Sequence, residues 1–412
     1  MDLKEVIICG AGIGGLTAAA VLRRRGFTVT VLEQAEELGE VGAGIQISPN
    51  AMRILQSLGL GDELLRLSPL VQEIAYRRWD NGQVLGKTHL GGYALSRYGA
   101  PYLQLHRADL HSLLHADAVS EEAPGQPCVV KTGIRAETVE GIDSDRPTVL
   151  DQNGTRYTGD LVIGADGIRS AVRTSIGAPD EVLDSGDMCF RVLFDGAGVL
   201  ADPVTRFFAD SQVNNYWVGP DKHLAVYPIR NNQYINFVGM LPSDEEILAV
   251  GRRQAPVEDL IAAYQGWDDR LQHLFAKKNF GILLFSLMRQ DSFSEWTRGS
   301  VALLGDACHS MVPYVAQGAS QSVEDAYVLA EELGEASHDI PSALANYAAR
   351  RAPYAHQAQH AALSNQYKWH LHDGPEQEAR DRTYALEPDP VEKTLDSVYS
   401  GTPLKAAEPS AV

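Results

Sequence analysis

Three glycines near the start of the chain and one later acidic residue have the spacing of a dinucleotide-binding turn. Gly10, Gly12 and Gly15 form Gly-x-Gly-x-x-Gly, and Glu33 ends the next apolar run. The first glycine permits a tight turn, the second lets the backbone approach a pyrophosphate, and the third allows a helix to pack closely on a strand. The helix N-terminus attracts phosphates, and the carboxylate can bind ribose hydroxyls. The motif predicts a dinucleotide without distinguishing NAD from FAD.

Two aspartates occupy glycine turns farther along the chain. Asp166 lies in GADGIRSAVR and Asp306 in GDACH, and each follows a short apolar run typical of a buried strand. The carboxyl ends of strands in an open α/β sheet are where cofactors bind. Each aspartate could instead only cap the turn or helix that follows. Together with the first motif, the two turns indicate one cofactor site shared by three strand ends.

A histidine and a tyrosine in the middle of the chain could do acid–base chemistry. In KHLAVYPIR, His223 and Tyr227 are four residues apart, so on a strand both side chains lie on one face. A histidine can accept or relay a proton near neutral pH, and a tyrosine hydroxyl can bind a ligand. The alternative is a surface histidine beside a turn and a tyrosine in the core.

The hydrophobic pattern predicts the elements that position these residues. EVIIC, the glycine turn, LTAAAVLRRRG and FTVTVLE form a strand–helix–strand unit that should be parallel and right-handed. Residues 186–243 are rich in β-branched and aromatic residues, which predicts a mostly antiparallel sheet. Long helices are predicted from about residue 317 and over 340–370. We therefore expect an α/β protein, with a Rossmann-like domain and an inserted antiparallel sheet.

Composition restricts the classes of function. The 412 residues are 44% hydrophobic and 22% charged, which is typical of a globular protein and excludes a fibre or a coiled coil. A net charge of −19 disfavours nucleic acids and anionic membrane surfaces as partners. The four cysteines form no Cys-x-x-Cys pair and the histidines lack metal-ligand spacing, so we expect no metal. Without a signal peptide or a membrane-spanning run, we expect a cytoplasmic protein.

With these motifs the sequence resembles the single-component flavin-dependent aromatic hydroxylases over about residues 5–370. VGAGIQISPNAMRIL, YGAPYLQLHRADLH and GDACHSMVPYVAQGASQSVEDA are most similar to the branch that hydroxylates salicylate, 3-hydroxybenzoate and 6-hydroxynicotinate. The resemblance implies non-covalent FAD, with NADH or NADPH and O2 as co-substrates. It also implies that a flavin C4a-hydroperoxide hydroxylates a hydroxylated aromatic or heteroaromatic acid, with or without loss of CO2.

The resemblance implies a set of FAD contacts when the family pattern is carried over by position. The residues are Gly10, Gly12, Gly15, Glu33, Arg107, Asp166, Asp306, Gly318 and Ala319. Reduced flavin carries negative charge near N1, and a helix beginning near Gln317 would offer backbone amides and a positive dipole end to that charge. A plain loop-to-helix junction is the alternative there.

The same comparison implies residues at the substrate. His223 would accept or relay a proton, Tyr227 would hydrogen-bond the substrate, and Pro313 would shape the wall beside the reactive flavin edge. Three weaker candidates for substrate contacts are Gln46, Tyr216 and Tyr314. Hydroxynicotinate hydroxylase has histidines at the positions of Gln46 and Tyr314, and their replacement here argues against hydroxynicotinate.

The expected organisation is a discontinuous FAD-binding domain of residues 1–180 and 281–370 around a substrate-binding sheet of residues 181–280. Residues 371–412 form a tail that could pack at a homodimer contact, with its last ten residues mobile. Two other functions on this fold stay open: a flavin halogenase or reductase, and a non-catalytic flavin sensor. The WxWxIP motif of halogenases is absent.

Overall fold

The computed structural model describes residues 4–39, 43–210, 212–335, 339–386 and 393–404. The helices are, in chain order, Ile13–Arg24, Pro49–Ser57, Gly61–Leu67, Gly91–Tyr98, Arg107–Val119, Ala171–Ile176, Gly196–Ala201, the 3₁₀ turn Thr205–Ala209, Glu245–Val250, Val257–Ala263, Asp269–Phe275, Asp306–His309, Gly318–Glu335, Ile340–Trp369, Pro375–Leu386 and Lys393–Ser400. None of the helices within these ranges is long and apolar enough to cross a membrane.

A mostly parallel sheet carries the glycine turns. Its strands are, in spatial order, Thr297–Arg298, Val301–Leu303, Leu161–Gly164, Glu5–Cys9, Thr28–Leu32 and Val129–Lys131. Neighbours are parallel except the first pair. The central strands are almost fully buried because helices cover parallel sheets on both faces, which explains their continuous apolar runs. The predicted strand–helix–strand unit is confirmed, and the three glycine turns leave neighbouring strands of this sheet.

An eight-stranded sheet forms the second part of the molecule. Its strands are, in spatial order, Arg252–Gln254, Asn279–Arg289, Leu183–Asp195, Tyr234–Pro242, Lys222–Ile229, Val213–Gly219, Glu73–Arg78 and Val84–His89. Neighbours are antiparallel except Val213–Gly219 with Glu73–Arg78, so the prediction of a mostly antiparallel sheet is confirmed.

This sheet extends beyond the range expected for it, residues 181–280. Strands Glu73–Arg78 and Val84–His89 come from within 1–180, and Asn279–Arg289 crosses the boundary at 280. Glu73–Arg78 pairs with Val213–Gly219, whose backbone donors and acceptors would otherwise form an open edge, and Val84–His89 pairs with Glu73–Arg78. The substrate-binding sheet is therefore not built from one continuous stretch of the sequence.

Two smaller sheets complete the architecture. Ala136–Glu140, Thr148–Asp151 and Arg156–Thr158 form an antiparallel sheet. Gly44–Ile47 pairs with Leu103–His106, and this pair touches the large sheet where the Gly44 amide donates to Oδ1 of Asn236 at 2.8 Å. The two-stranded unit thereby holds the region of Gln46 and Arg107 between the two main sheets.

The C-terminal segment packs back onto the body of the protein. Asp396 accepts hydrogen bonds from Arg97 and Tyr98, and Arg350 donates to the carbonyl of Pro403 at 2.8 Å. Buried Arg351 donates to the hydroxyl of Thr402. The described parts of the tail, residues 371–386 and 393–404, thus belong to the fold, and most of the stretch expected to be mobile lies outside the described residues.

Candidate active site

A cavity of about 340 Å³ lies between the first glycine turn, the two-stranded unit, the inner face of the large sheet and the start of helix Gly318–Glu335. Predicted residues that line it are Gly12, Gln46, Arg107, Tyr216, His223, Tyr227, Asp306, Pro313, Gly318 and Ala319. The structure therefore brings predicted cofactor and substrate residues from both parts of the molecule to one space, which we call the central cavity.

A second cavity, of about 510 Å³, continues around the glycine turn. Gly10, Glu33 and Asp166 line it, and Gly12 lines both cavities. An extended ligand could therefore pass Gly12 with one end beside Glu33 and the other in the central cavity. FAD has this form, with adenosine and flavin ends joined by a pyrophosphate.

The three glycines have different physical roles. Gly10 has φ +104°, and a Cβ there would lie 2.3 Å from the carbonyl oxygen of Ala165. A Cβ on Gly15 would lie 2.0 Å from the carbonyl oxygen of Gly10, so these two glycines are required by backbone packing. A Cβ on Gly12 would meet no atom of the described residues within 4 Å. The open space at Gly12, beside the N-terminus of a helix, fits a pyrophosphate.

The two acidic residues at the second cavity are both hydrogen-bonded. Glu33 accepts from the backbone amides of Ala11 and Ala35, each at 2.8 Å, which fixes its carboxylate at the strand end. Asp166 accepts from the hydroxyl of Ser170 and from the amide of Val172, so it caps the turn before helix Ala171–Ile176. Burial raises the pKa of Asp166. The capping role considered for Asp166 is therefore present, and the residue also lines the cavity.

A buried ionic network positions the GDACH turn. One carboxylate oxygen of Asp325 accepts from the amide of Gly305 at 2.9 Å and contacts Nε2 of His309 at 2.6 Å. The other accepts from Nε of Arg351 at 2.7 Å. Burial alone would raise the pKa of Asp325, but His309 and Arg351 lower it to about 2. The ionised carboxylate thus ties the turn that carries Asp306 to two helices.

Cys308, His309 and Asp325 have potential ligand atoms within 4.8 Å of one another, a grouping that could hold a metal ion. Both carboxylate oxygens of Asp325 already bind protein groups, and burial raises the pKa of Cys308 well above its ordinary value. The grouping is accounted for as an internal hydrogen-bond network, and the expectation of no metal stays a prediction.

The start of helix Gly318–Glu335 lies against the central cavity. A strained residue precedes it, and hydrogen bonds fix its position. Ala316 has φ +52°, a left-handed conformation that costs energy for a residue with a side chain. Gln317 donates to the hydroxyl of Ser48 at 2.8 Å and accepts from the side-chain amide of Asn50 at 3.1 Å. Gly318 and Ala319 follow directly, so the amide-bearing helix end predicted to face the flavin lies on the cavity wall.

The inner face of the large sheet forms the other wall. His223 and Tyr227 flank Ala225 on one strand, and all three line the cavity, as their four-residue spacing predicted. Arg191, opposite Val238 in the neighbouring pair of strands, also lines it. The patterns in the sequence did not indicate Arg191, because an arginine on a strand carries no signal of its own.

Gln46 and Tyr216 form the polar corner of this wall. The side-chain amide nitrogen of Gln46 lies 3.1 Å from the hydroxyl of Tyr216. The hydroxyl of Tyr102 donates to the side-chain carbonyl oxygen of Gln46. Burial raises the pKa of Tyr216, so its hydroxyl stays protonated. Both predicted residues therefore present neutral hydrogen-bonding groups to the cavity.

His223 is linked to a second histidine that the sequence did not reveal. Its Nδ1 lies 2.7 Å from Nε2 of His370, while its buried Nε2 has no hydrogen-bond partner among the described residues. Burial, and to a smaller extent His370, hold the pKa of His223 well below its ordinary value. Burial also lowers the pKa of His370 to about 4. Both rings are neutral at pH 7, so the N–H of one ring donates a hydrogen bond to the unprotonated nitrogen of the other.

Tyr314 does not line the central cavity, although it was expected to contact the substrate. Its ring packs edge-on against His223 with 4.8 Å between centroids, and its hydroxyl donates to Asp187. Asp187 also accepts from Gln366 at 2.7 Å and lies 3.8 Å from Nδ1 of His370. Tyr314 thus supports the histidine pair through its ring contact with His223 and through Asp187.

Comparison with known proteins identifies the family. A family model described as an FAD binding domain matches residues 4–362. The chain belongs to the FAD-dependent aromatic hydroxylases. The 3-amino-4-hydroxybenzoate 2-monooxygenase PtnB3 of Streptomyces platensis is 37% identical over 383 residues, 92% of each chain. The 6-hydroxynicotinate 3-monooxygenase of Pseudomonas fluorescens is 33% identical over 368 residues, 88% of this chain and 91% of the relative.

Solved structures agree with this family assignment. Klebsiella pneumoniae HpxO, complexed with FAD and uric acid, superposes with a TM-score of 0.82 at 26% identity over 98% of each chain. A salicylate hydroxylase substrate complex shares the fold, with a TM-score of 0.76 at 22% identity over 93% of each chain. The predicted fold and the prediction of an aromatic-ring monooxygenase are confirmed. FAD is the cofactor of this family, and the open space at Gly12 fits it.

Proposed function

We propose that this monooxygenase uses NADH or NADPH and O2 to hydroxylate a small aromatic acid that already bears a hydroxyl group. Within that class we favour an amino-hydroxybenzoate, the substrate type in the name of the 37% identical relative. The hydroxynicotinate enzyme is less similar, at 33% identity. A homodimer and a cytoplasmic location stay predictions from the sequence.

One observation carries the proposal: an acceptor nitrogen and a cation line the same wall, with apolar side chains between them. His223 presents an Nε2 that has no hydrogen-bond partner among the described residues, and Arg191 carries the positive charge that a substrate carboxylate requires. Ala225 and Val238 lie between them on the sheet, and a flat ring can pack on these side chains. A ring with a hydroxyl at one end and a carboxylate at the other satisfies both polar groups.

Bound FAD would supply reduction by the nicotinamide cofactor and activation of O2 for insertion into the ring. The residues that hold it would be the glycine turn, Glu33, Asp306 and the start of helix Gly318–Glu335. The amides at that helix end would stabilise negative charge on the reduced ring system. Pro313 and Met311 on the wall would limit the access of water to the reacting atoms.

The protein's own acid–base chemistry is assigned to the histidine pair. Neutral His223 would accept the substrate hydroxyl proton at Nε2, which makes the ring more electron-rich and more reactive toward an electrophilic oxygen. The proton on Nδ1 would then pass to Nε2 of His370, 2.7 Å away, and His370 would release its Nδ1 proton toward Asp187 or solvent. Tyr227, kept protonated because burial raises its pKa, would donate a hydrogen bond to the substrate.

The test is oxidation of NADH and of NADPH by the FAD-loaded protein, with H2O2 and product mass followed together. Amino-hydroxybenzoates, salicylate, 3- and 4-hydroxybenzoate and hydroxynicotinates would be compared. Faster oxidation with a product heavier by one oxygen supports the proposal, and the best substrate identifies the ring. A chlorinated product, or H2O2 alone with every compound, would favour a halogenase or an oxygen-reducing reductase. No stimulation by any of them would favour a sensor.

A further inference from the structure

A groove of about 770 Å³ adjoins the central cavity, and we call it the arginine groove. Four arginines line it: Arg107, Arg169, Arg191 and Arg252. None of its described lining residues is acidic, although the chain has 54 acidic against 35 basic residues. This local reversal of the overall charge indicates a ligand with several negative charges.

Two of these guanidinium groups are exposed and available. Arg169 and Arg252 form no ion pair with any described carboxylate. The neighbouring Arg253, in contrast, lies 3.4 Å from Glu246 and 3.0 Å from Asp259. Planar guanidinium groups without a carboxylate partner match the geometry of phosphate oxygens.

The groove is continuous with the sites already described. Arg107 and Arg191 line both the groove and the central cavity, and Arg169 also lines the cavity beside Glu33. Phe280, 53% exposed, adds an aromatic surface to the groove. A ligand with phosphates in its middle could lie on the arginines, reach the flavin end of the central cavity with one ring, and stack its other ring on Phe280.

We propose that the arginine groove binds the nicotinamide dinucleotide. Its pyrophosphate lies on Arg252 and Arg169, its nicotinamide enters the central cavity past Arg191, and its adenine contacts Phe280. The assignment rests on the proposed function, in which NADH or NADPH is the reductant. An aromatic acid alone would leave most of the groove empty and has no phosphate to meet the arginines. The FAD pyrophosphate is assigned separately to the open space at Gly12.

The experiment measures the binding of redox-inactive nicotinamide ligands to the FAD-loaded protein by calorimetry. The ligands are NAD⁺ and tetrahydro-NADH, together with their 2′-phosphorylated forms, and the variants are Arg252→Glu and Arg252→Lys. Arg206→Glu is the matched control, because Arg206 is exposed in the same sheet domain and does not line the groove. We expect Arg252→Glu to raise the Kd at least about tenfold, Arg252→Lys to raise it less, and Arg206→Glu to leave it unchanged.

Three further readouts make the result specific. FAD content and the Kd of the aromatic substrate should be unchanged in Arg252→Glu, and the dependence of the nicotinamide Kd on salt should be weaker than in the wild type. An unchanged nicotinamide Kd in Arg252→Glu, with normal binding by the wild type, would overturn the groove assignment and leave the proposed function standing. If the wild type binds the aromatic acid but neither binds nor oxidises any nicotinamide cofactor, both proposals are overturned.

Discussion

Nδ1 of His223, in the wall of the central cavity, lies 2.7 Å from Nε2 of His370, at the end of helix Ile340–Trp369. His370 also lines a cavity of about 570 Å³ whose wall includes the exposed Tyr367. The pair therefore connects the buried substrate site with solvent through two rings. This contact supports a path along which the substrate proton leaves the central cavity.

Replacing His370 tests that path. We expect His370→Gln to lower the rate of coupled hydroxylation about 10²-fold, because glutamine can keep a hydrogen bond to His223 but cannot accept and release a proton. FAD content and substrate Kd should change little, and added imidazole should restore part of the rate. The control is His372→Gln, since His372 is exposed and pairs with Asp221. Equal rates in His370→Gln and the wild type would exclude His370 from proton transfer.

The lowered pKa of His370 also predicts how stability depends on pH. The pKa of His370 is about 4 in the folded protein, whereas a histidine in an unfolded chain has a pKa of about 6.5. Between about pH 4 and about pH 6.5 the folded protein therefore binds fewer protons at this residue than the unfolded chain does. Its stabilising contribution is complete above pH 6.5 and is lost as the pH falls toward 4. Between pH 7.5 and 5 the loss is about 2 kcal/mol. Urea unfolding should show a smaller loss in His370→Gln, and an identical loss would contradict the pKa assignment.

Substitutions of Gly12 and Gly15 should have different effects, one on cofactor binding and the other on folding. We expect Gly12→Val to fold with a Tm near that of the FAD-free wild type and to retain little FAD, because the side chain enters open space where the pyrophosphate would lie. Gly15→Val should lower the Tm strongly, since even its Cβ would lie 2.0 Å from a carbonyl oxygen. The measurements are the ratio of flavin to protein absorbance and thermal unfolding. Full FAD occupancy in Gly12→Val would refute the placement of the pyrophosphate.

Loss of the cation from the buried Asp325–Arg351 pair should cost far more stability than loss of the cation from an exposed ion pair. Arg351 is fully buried between Asp325 and Glu324, so Arg351→Met leaves two buried carboxylates without their cation and should cost about 3–5 kcal/mol. Arg298→Met is the control, because Arg298 and its partner Asp143 are both exposed, and we expect a much smaller cost. Comparable costs in urea unfolding would show that the buried pair has no special role.

Tyr227 and Tyr314 should differ in their effect on substrate binding. Tyr227 lines the central cavity, so Tyr227→Phe should raise the substrate Kd about tenfold through loss of one hydrogen bond. Tyr314 donates to Asp187 behind His223, so Tyr314→Phe should leave that Kd nearly unchanged and alter the pH profile of kcat instead. Equilibrium titration of substrate into both variants decides the matter. A higher Kd in Tyr314→Phe alone would reverse the two roles.

The sequence alone determined the local structure around the cofactor. Gly10, Gly12 and Gly15 act over a few residues, so their spacing predicts the turn and the helix that follows it. The four-residue spacing of His223 and Tyr227 likewise predicts a shared face once the strand is recognised, because side chains alternate along a strand. The family motifs also predicted FAD and the class of reaction, which the comparisons confirm.

Only the tertiary structure decided which distant residues meet. His370 contacts His223 although the two residues are 147 positions apart in the sequence, and Arg351 binds Asp325 from a different helix. No local sequence pattern predicts either contact. The same holds for Arg191 at the substrate wall and for the strands from residues 73–89 that extend the large sheet. Such contacts depend on how whole elements pack, and packing follows from shape and burial summed over the molecule rather than from the spacing of neighbouring residues.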